Sequence, residues 1–255
     1  MRYLLTNDDG IYSEGLKALH DALVPSGEVW VFAPDRERSA VSHALTLDRP
    51  LRVEELRPRW CAVSGTPTDC VNLGATHFMR AFPPDLVVSG INIGLNVGDD
   101  VTYSGTVSAA FEASILGLHG FAFSQEMGRG VDLERSAAAC ASILAFFRER
   151  GLVRPGGITN VNIPAGRFGA PLFTRLGKRH YQESIVEKLD PRGRKYYWIG
   201  GEPVPGEPDR GTDFEALHRA RISITPLHLD LTEYPLLQDL RALQGELEAA
   251  VDDGR

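Results

Sequence analysis

The 255-residue sequence predicts an α/β fold with a mostly parallel sheet, and three observations carry that prediction. Apolar runs at Tyr3–Leu5, Val29–Ala33 and Leu86–Val88 each break off into a polar loop. Segments of helical spacing separate them. Each run is also short and continuously apolar, as expected of strands covered on both faces.

The elements follow in order. Tyr3-Leu4-Leu5 reads as the first buried strand and leads without a break into Thr6-Asn7-Asp8-Asp9-Gly10. Leu16, Leu19, His20 and Leu23 then recur at helical spacing behind Ser13, an N-cap candidate, and Val29–Ala33 completes a β-α-β unit that ends at Pro34-Asp35. Partial alternation through Leu45, Leu47, Leu51 and Val53 predicts short antiparallel strands between Ala44 and Val63. Thr66 and Pro67 open a helix whose apolar residues include Val71, Leu73, Phe78 and Met79. The third strand, Asp85–Gly90, is followed by a loop carrying Asn92 and Asn96; Ser108–Leu116 is a small-residue helix.

Further strands are expected at Phe121–Ser124 and Ile158–Pro164, with an alanine-rich amphipathic helix over Leu133–Arg150 between them. The character changes after Pro171. A strand at Leu172–Leu176 precedes a basic stretch, and Asp190-Pro191-Arg192-Gly193 marks the turn of a protruding hairpin within residues 183–201. Glu202–Gly211 reads as loop, Ala220–Pro226 as a returning strand, and Leu236–Val251 as a terminal helix. The organisation expected is a core over residues 1–171 and a C-terminal region over 172–255 that carries the protruding hairpin, the returning strand and the terminal helix.

Composition narrows the partners. A formal net charge of −7 argues against a nucleic-acid polymer or an anionic membrane as the main partner. Cys61, Cys70 and Cys140 form no metal-ligand spacing and cannot all pair, which suits a reduced, cytoplasmic chain. No signal peptide is expected, because the N-terminus enters a strand directly, and no apolar run reaches the ~20 residues of a membrane span.

The chemistry is expected at the carboxyl ends of the strands, where open α/β sheets bind ligands. Asn-Asp-Asp-Gly is good turn chemistry in its own right. Yet Asp8 and Asp9 share this edge with Ser39, Asn92, Asn96, Ser104 and Thr106, all of them oxygen donors or anion binders. With no histidine or cysteine in the set, it favours Mg²⁺, Mn²⁺ or Ca²⁺ over Zn²⁺ and suits a phosphate substrate. Helix N-termini and hydroxyls there would balance charge at phosphorus, so phosphomonoester hydrolysis is the expected reaction. His20 and His77 read as structural, His43 lies near enough in sequence to Ser39 to reach the site, and Arg36 and Arg38 either touch phosphate or solvate their loop. No G-x-G-x-x-G follows the first strand, so NAD is not expected.

Six stretches resemble the stationary-phase survival protein SurE family of metal-dependent 5′/3′-nucleotidases: Thr6–Gly10, Ala33–Ser39, Gly65–Cys70, Ser89–Asn96, Tyr103–Val107 and Ser223–Leu227. Their order and number make the resemblance specific. It implies a Rossmann-like three-layer α/β/α fold with a C-terminal hairpin extension and terminal helix used in oligomerisation, as a homodimer or homotetramer. It implies hydrolysis of nucleoside monophosphates with one divalent cation, Mg²⁺ or Mn²⁺, per subunit. Asp8, Asp9, Ser39 and Asn92 would ligate the metal, with Asp8, Asp9 and Asn92 catalytic, and Asn96, Ser104, Gly105 and Thr106 would surround the phosphate. Ile93 and Leu95 depart from the smaller, polar or proline residues common in the family's Asn loop. The competing readings are a non-catalytic nucleotide sensor, an exopolyphosphatase, and an oligomeric scaffold built on the aromatic hairpin.

Overall fold

Alternation along the first strand builds both faces of the sheet. In β1 (Arg2–Thr6), Tyr3 and Leu5 join one apolar cluster and Leu4 joins another on the opposite face. A strand covered on both sides has no polar positions to spare, which is why the run is uniformly apolar. Residues 1–178, 185–199 and 209–252 are described by a computed structural model.

The remaining strands of the core are β2 (Glu28–Pro34), β3 (Val53–Arg57), β4 (Trp60–Val63), β5 (Leu86–Ile93), β6 (His119–Gln125) and β7 (Ile158–Ile163). With β8 (Gly169–Phe173) and β11 (Arg221–Leu227) they form one nine-stranded sheet, ordered β3-β4-β2-β1-β5-β6-β7-β11-β8. The six strands from β4 to β7 are mutually parallel; β3 and β11 run antiparallel to their neighbours β4 and β7. Among the described residues two further strands, β9 (Ile185–Leu189) and β10 (Lys195–Ile199), pair only with each other, as the expected hairpin.

Helices complete three layers. On one face α1 (Glu14–Leu23) packs with α4 (Leu133–Glu149), burying Leu16, Leu19 and Leu23 against Val31, Val88 and Leu144. On the other, α2 (Pro67–Leu73) packs with α3 (Gly105–Ile115), and Ala109 and Ala113 let α3 approach Val87 closely. Ser13 caps α1 by accepting from the Leu16 N–H, and Thr66 and Asp69 form a reciprocal capping box on α2. The strand-loop-helix order of the sequence is therefore reproduced, and every loop following a parallel strand opens on the same edge.

Five expectations need correction. The third strand does not stop at Gly90: β5 continues to Ile93 after an irregularity between Ser89 and Asn92, so Asn92 pairs with Ser124 of β6. Gly90 makes this detour with φ 128°, where a Cβ would sit 2.3 Å from the Phe123 carbonyl oxygen. Leu45, Leu47 and Leu51 lie in no strand, because Thr46 binds the Asp69 carboxylate and Ala44 accepts from Thr66 in place of a ladder; β4 joins β2 in parallel, and only β3 is antiparallel at that edge. Helix α2 gives way to a wider turn at Gly74–Phe78, leaving Phe78 exposed while Met79 is buried. The strand expected at Leu172–Leu176 is β8, which starts earlier at Gly169 and ends at Phe173. The terminal helix is divided into α6 (Tyr234–Ala242) and α7 (Gln244–Asp252). A short helix absent from the sequence reading, α5 (Asp213–His218), is capped by Thr212. The expected loop at 202–208, the hairpin's outer residues 183, 184, 200 and 201, and Arg179 and His180 of the basic stretch lie outside the described residues.

Candidate active site

The turn after β1 is built by Asn7, not by the carboxylates. Its buried amide donates to the Gly10 carbonyl (3.0 Å) and to Ser13 Oγ (2.7 Å), and its Oδ1 accepts from the Gly10 N–H (3.2 Å). Asp8 and Asp9 are thereby left free of turn duty. Turn chemistry and two carboxylates that the turn does not use coexist in the same five residues.

Asp8 is 6% exposed and points at the N-terminus of α3. Its Oδ1 accepts a 2.6 Å hydrogen bond from Thr106 Oγ1, and the Thr106 N–H also donates to its carboxylate. Gly105 is required there, since a Cβ on it would sit 2.9 Å from Asp8 Cβ. Burial raises the Asp8 pKa, the two bonds from Thr106 oppose it, and the Glu37 charge adds to the rise. Asp9 is half-buried, and its Oδ2 is enclosed with no hydrogen-bond partner among the described residues. Burial and then repulsion from Asp8 push its pKa to about 6, against the pull of the Ile93 N–H.

The other expected residues fall into three groups. Asn92 and Asn96 line the edge: Asn92 donates from Nδ2 to the Gly94 carbonyl (2.7 Å), turning its Oδ1 the other way. The Asn96 amide donates to Ser124 Oγ (2.7 Å) and approaches Thr106 Oγ1 (3.5 Å), while its backbone is gripped by Asn160 and Asn162. Ser104 and Thr106 are buried in the entrance to α3, where Ser104 Oγ caps the helix at the Val107 N–H and Thr106 is committed to Asp8. Ser39 stands apart. Its exposed hydroxyl donates to Glu37 Oε1 (2.7 Å), although its loop is tied to the site by the Arg38 N–H on the Asp8 carbonyl (2.7 Å).

Arg36 and Arg38 both lie 3.7 Å from Asp35, and Arg38 is the less exposed of the two. His20 packs edge-on against Trp60, and exposed His77 lies edge-on to its neighbour Phe78. His43 turns to Glu112, 2.9 Å away. Sequence reasoning missed four participants at this edge: Glu37, Ser124, Asn160 and Asn162. A signal was available for the last two, because asparagines two apart in a buried strand share one face and need partners.

These residues fit a hard divalent cation. Among the described residues no three His, Cys, Asp or Glu side chains group as a metal site, and the other side chains that line this edge, Asn92, Asn96, Ser104 and Thr106, carry neutral oxygens. The enclosed, unpartnered Asp9 Oδ2 beside a second desolvated carboxylate is the environment a cation relieves.

Fold and site together define a Rossmann-like α/β protein with an acidic, oxygen-lined site at the carboxyl edge of its sheet. The chain belongs to the SurE family: the family model described as Survival protein SurE matches residues 3–183. It is 52% identical over 246 residues to a protein named 5′-nucleotidase SurE from Geobacter sulfurreducens, covering 95% of this chain and 93% of that one. A protein of the same name from Myxococcus xanthus is 48% identical over 245 residues, with coverage of 95% and 93%. The crystal structure of the SurE protein from Aquifex aeolicus superposes with a TM-score of 0.85 at 40% identity, covering 96% of this chain and all of that one.

Proposed function

We propose that the chain is a divalent-metal-dependent phosphomonoesterase that hydrolyses nucleoside 5′-monophosphates, and secondarily 3′-monophosphates, to nucleoside and phosphate. The names of its relatives support the reaction. The observation that carries the metal dependence is the enclosed Asp9 Oδ2, unpartnered among the described residues and next to buried Asp8.

In this reading Asp8, Asp9, Ser39 and Asn92 hold one Mg²⁺ or Mn²⁺, and Asn96, Ser104, Gly105 and Thr106 surround the phosphate. Bound there, a divalent cation would supply Lewis-acid stabilisation of charge at phosphorus. Thr106 fixes the Asp8 carboxylate through its 2.6 Å bond, so the group does not have to reorganise during reaction. The N-terminus of α3, where Gly105 leaves room, presents the positive end of the helix dipole to the anion. The Asn96 amide, held by Ser124 and Thr106, is the further group that would orient the phosphate.

The C-terminal region, residues 172–255, is read as the assembly region for a homodimer or homotetramer, with residues 1–171 as the catalytic core. Ile185, Leu189, Tyr197 and Trp198 of the hairpin are exposed, as are Leu240 and Leu247 of α6 and α7, more apolar surface than isolated residues explain. Three free, buried cysteines suit the cytoplasm, and among the described residues no helix is long and apolar enough to cross a membrane.

The test is phosphate release from AMP and GMP. Asp8→Asn keeps the circular dichroism spectrum and loses activity by about 10³-fold or more, the scale of losing a preorganised charge at the reacting centre. EDTA abolishes release by the wild type, and Mn²⁺ or Mg²⁺ restores it. Undiminished turnover in EDTA would defeat the metal assignment.

A further inference from the structure

Glu112 lies in the middle of α3, 3% exposed, and sequence reasoning gave it no role. Burying a carboxylate costs several kcal/mol unless its oxygens are satisfied. Both are. Oε2 accepts from His43 Nε2 at 2.9 Å, and Oε1 accepts from Asn72 Nδ2 of α2 at 2.7 Å. Burial raises the Glu112 pKa, and the bonds from His43 and Asn72 outweigh it, leaving the carboxyl below its usual value.

His43 follows Ser39 in the loop that joins β2 to β3. Between the two, Ala40 and Ser42 adopt φ of 54° and 53°, a left-handed conformation that non-glycine residues hold only when their surroundings impose it. The impositions are visible on both sides. Before the bend, the Arg38 N–H is fixed to the Asp8 carbonyl (2.7 Å); within it, the Ser42 N–H donates to the Tyr103 carbonyl (3.2 Å). After it, His43 is fixed to Glu112, the Ala44 carbonyl to Thr66 (2.7 Å), and Thr46 to both oxygens of Asp69 (2.9 and 2.6 Å). Residues 38–46 thus form a bracket from the Asp8 backbone to α2 and α3. Ser39 is the exposed member of the candidate ligand set, and its own hydroxyl contact, with Glu37, is local.

We propose that His43 and Glu112 are positioning residues, which anchor the bracket so that Ser39 is presented to Asp8 and Asp9, and thereby set how tightly the site takes a divalent cation. Neither touches the reacting atoms. The inference rests on the reading of Asp8, Asp9, Ser39 and Asn92 as the cation site. Groups that orient metal ligands are worth about 10- to 100-fold in metal affinity when removed.

The experiment is Mn²⁺ titration of the metal-stripped full-length protein by calorimetry, alongside phosphate release from AMP as a function of Mn²⁺. The variants are His43→Ala, Glu112→Gln, Ser39→Ala and the double variant Ser39→Ala/His43→Ala. His43→Ala should weaken Mn²⁺ binding by about tenfold or more, with kcat at saturating Mn²⁺ within about threefold of wild type. Glu112→Gln keeps an oxygen for Asn72 and a polar group for His43 and should recover most of the affinity. The double variant should bind no more weakly than Ser39→Ala alone, because both changes remove one function. A folded His43→Ala protein with wild-type Mn²⁺ affinity, or additive losses in the double variant, would leave the pair as a stabilising brace and overturn the proposal. Should His43→Ala fail to fold, His43→Asn carries the same comparison. Asp8→Asn bound to Mn²⁺ as tightly as wild type would instead defeat the underlying cation site, and the inference with it.

Discussion

The site edge and the C-terminal region treat exposed chemistry in opposite ways. At the edge, Asp8, Asn96, Ser104 and Thr106 are polar yet buried, and each side chain is held by a hydrogen bond. In the hairpin and terminal helices, apolar side chains are exposed: Trp198 at 63% and Leu247 at 65%. A buried polar group is expensive unless held, and an exposed apolar group is unfavourable unless covered. At these four side chains the first region has satisfied its requirement within one chain, while Asp9 Oδ2 is left without a partner among the described residues. The second has not, which is the physical basis for reading it as an assembly surface.

The largest effect should come from disturbing the packed side of that comparison. Gly105→Ala places a Cβ 2.9 Å from Asp8 Cβ, and the carboxylate must move. Overpacking costs about 1–3 kcal/mol and outweighs the gain of up to about 1 kcal/mol from alanine's helix propensity. Phosphate release should fall by about 100-fold or more, since a small misplacement at a preorganised site is costly, while stability drops modestly in thermal melts. A variant of full activity would show that Asp8 has room the structure does not grant it.

On the exposed side, Trp198→Asp should do the reverse. The monomer fold should change by under about 0.5 kcal/mol, while light scattering shows a shift toward monomer and an assembly constant weakened by about tenfold or more. An unaltered mass at low concentration would remove the hairpin from the interface.

The smallest effect concerns His119, buried in β6 and stacked on Phe121 with ring centroids 4.5 Å apart. Its Nδ1 accepts from the Arg154 N–H (3.0 Å), so the proton sits on Nε2, facing Thr159 Oγ1 (3.0 Å). Burial, with the Arg154 charge adding, lowers its pKa to about 4. A base with a depressed folded pKa refuses a proton that the unfolded chain accepts, so stability falls as pH drops from about 6.5 toward 4. Urea midpoints should show this loss, about 1–2 kcal/mol after screening, in the wild type and a flatter profile in His119→Gln. Parallel profiles would mean that the imidazole is protonated in the fold.

Much of this was legible before any coordinates. The apolar runs Tyr3–Leu5, Val29–Ala33 and Leu86–Val88 became adjacent parallel strands, and the Ser13 and Thr66 caps hold their helices. The extension of β5 past Gly90 was not legible, because a strand that bends around a neighbour's carbonyl leaves no periodic trace. Nor was α5: six residues are too few for a helical period to declare itself. Glu37 and Glu112 were passed over because nothing local distinguishes a solvated glutamate from one bonded to Ser39, two residues on in its loop, or to His43, 69 residues away in sequence.

What the sequence alone determined was the order of the principal parallel strands and of the helices between them, and which loops carry oxygen donors, since apolar runs, caps and turn residues are local properties of the chain. Only the tertiary structure decided how those donors are used. Thr106 supports Asp8, Ser104 caps α3, Asn96 is clamped between strands, and Asp9 is left with an enclosed, unpartnered oxygen among the described residues. Desolvation and hydrogen-bond partnership depend on what surrounds an atom, and that is settled only when the strands are side by side.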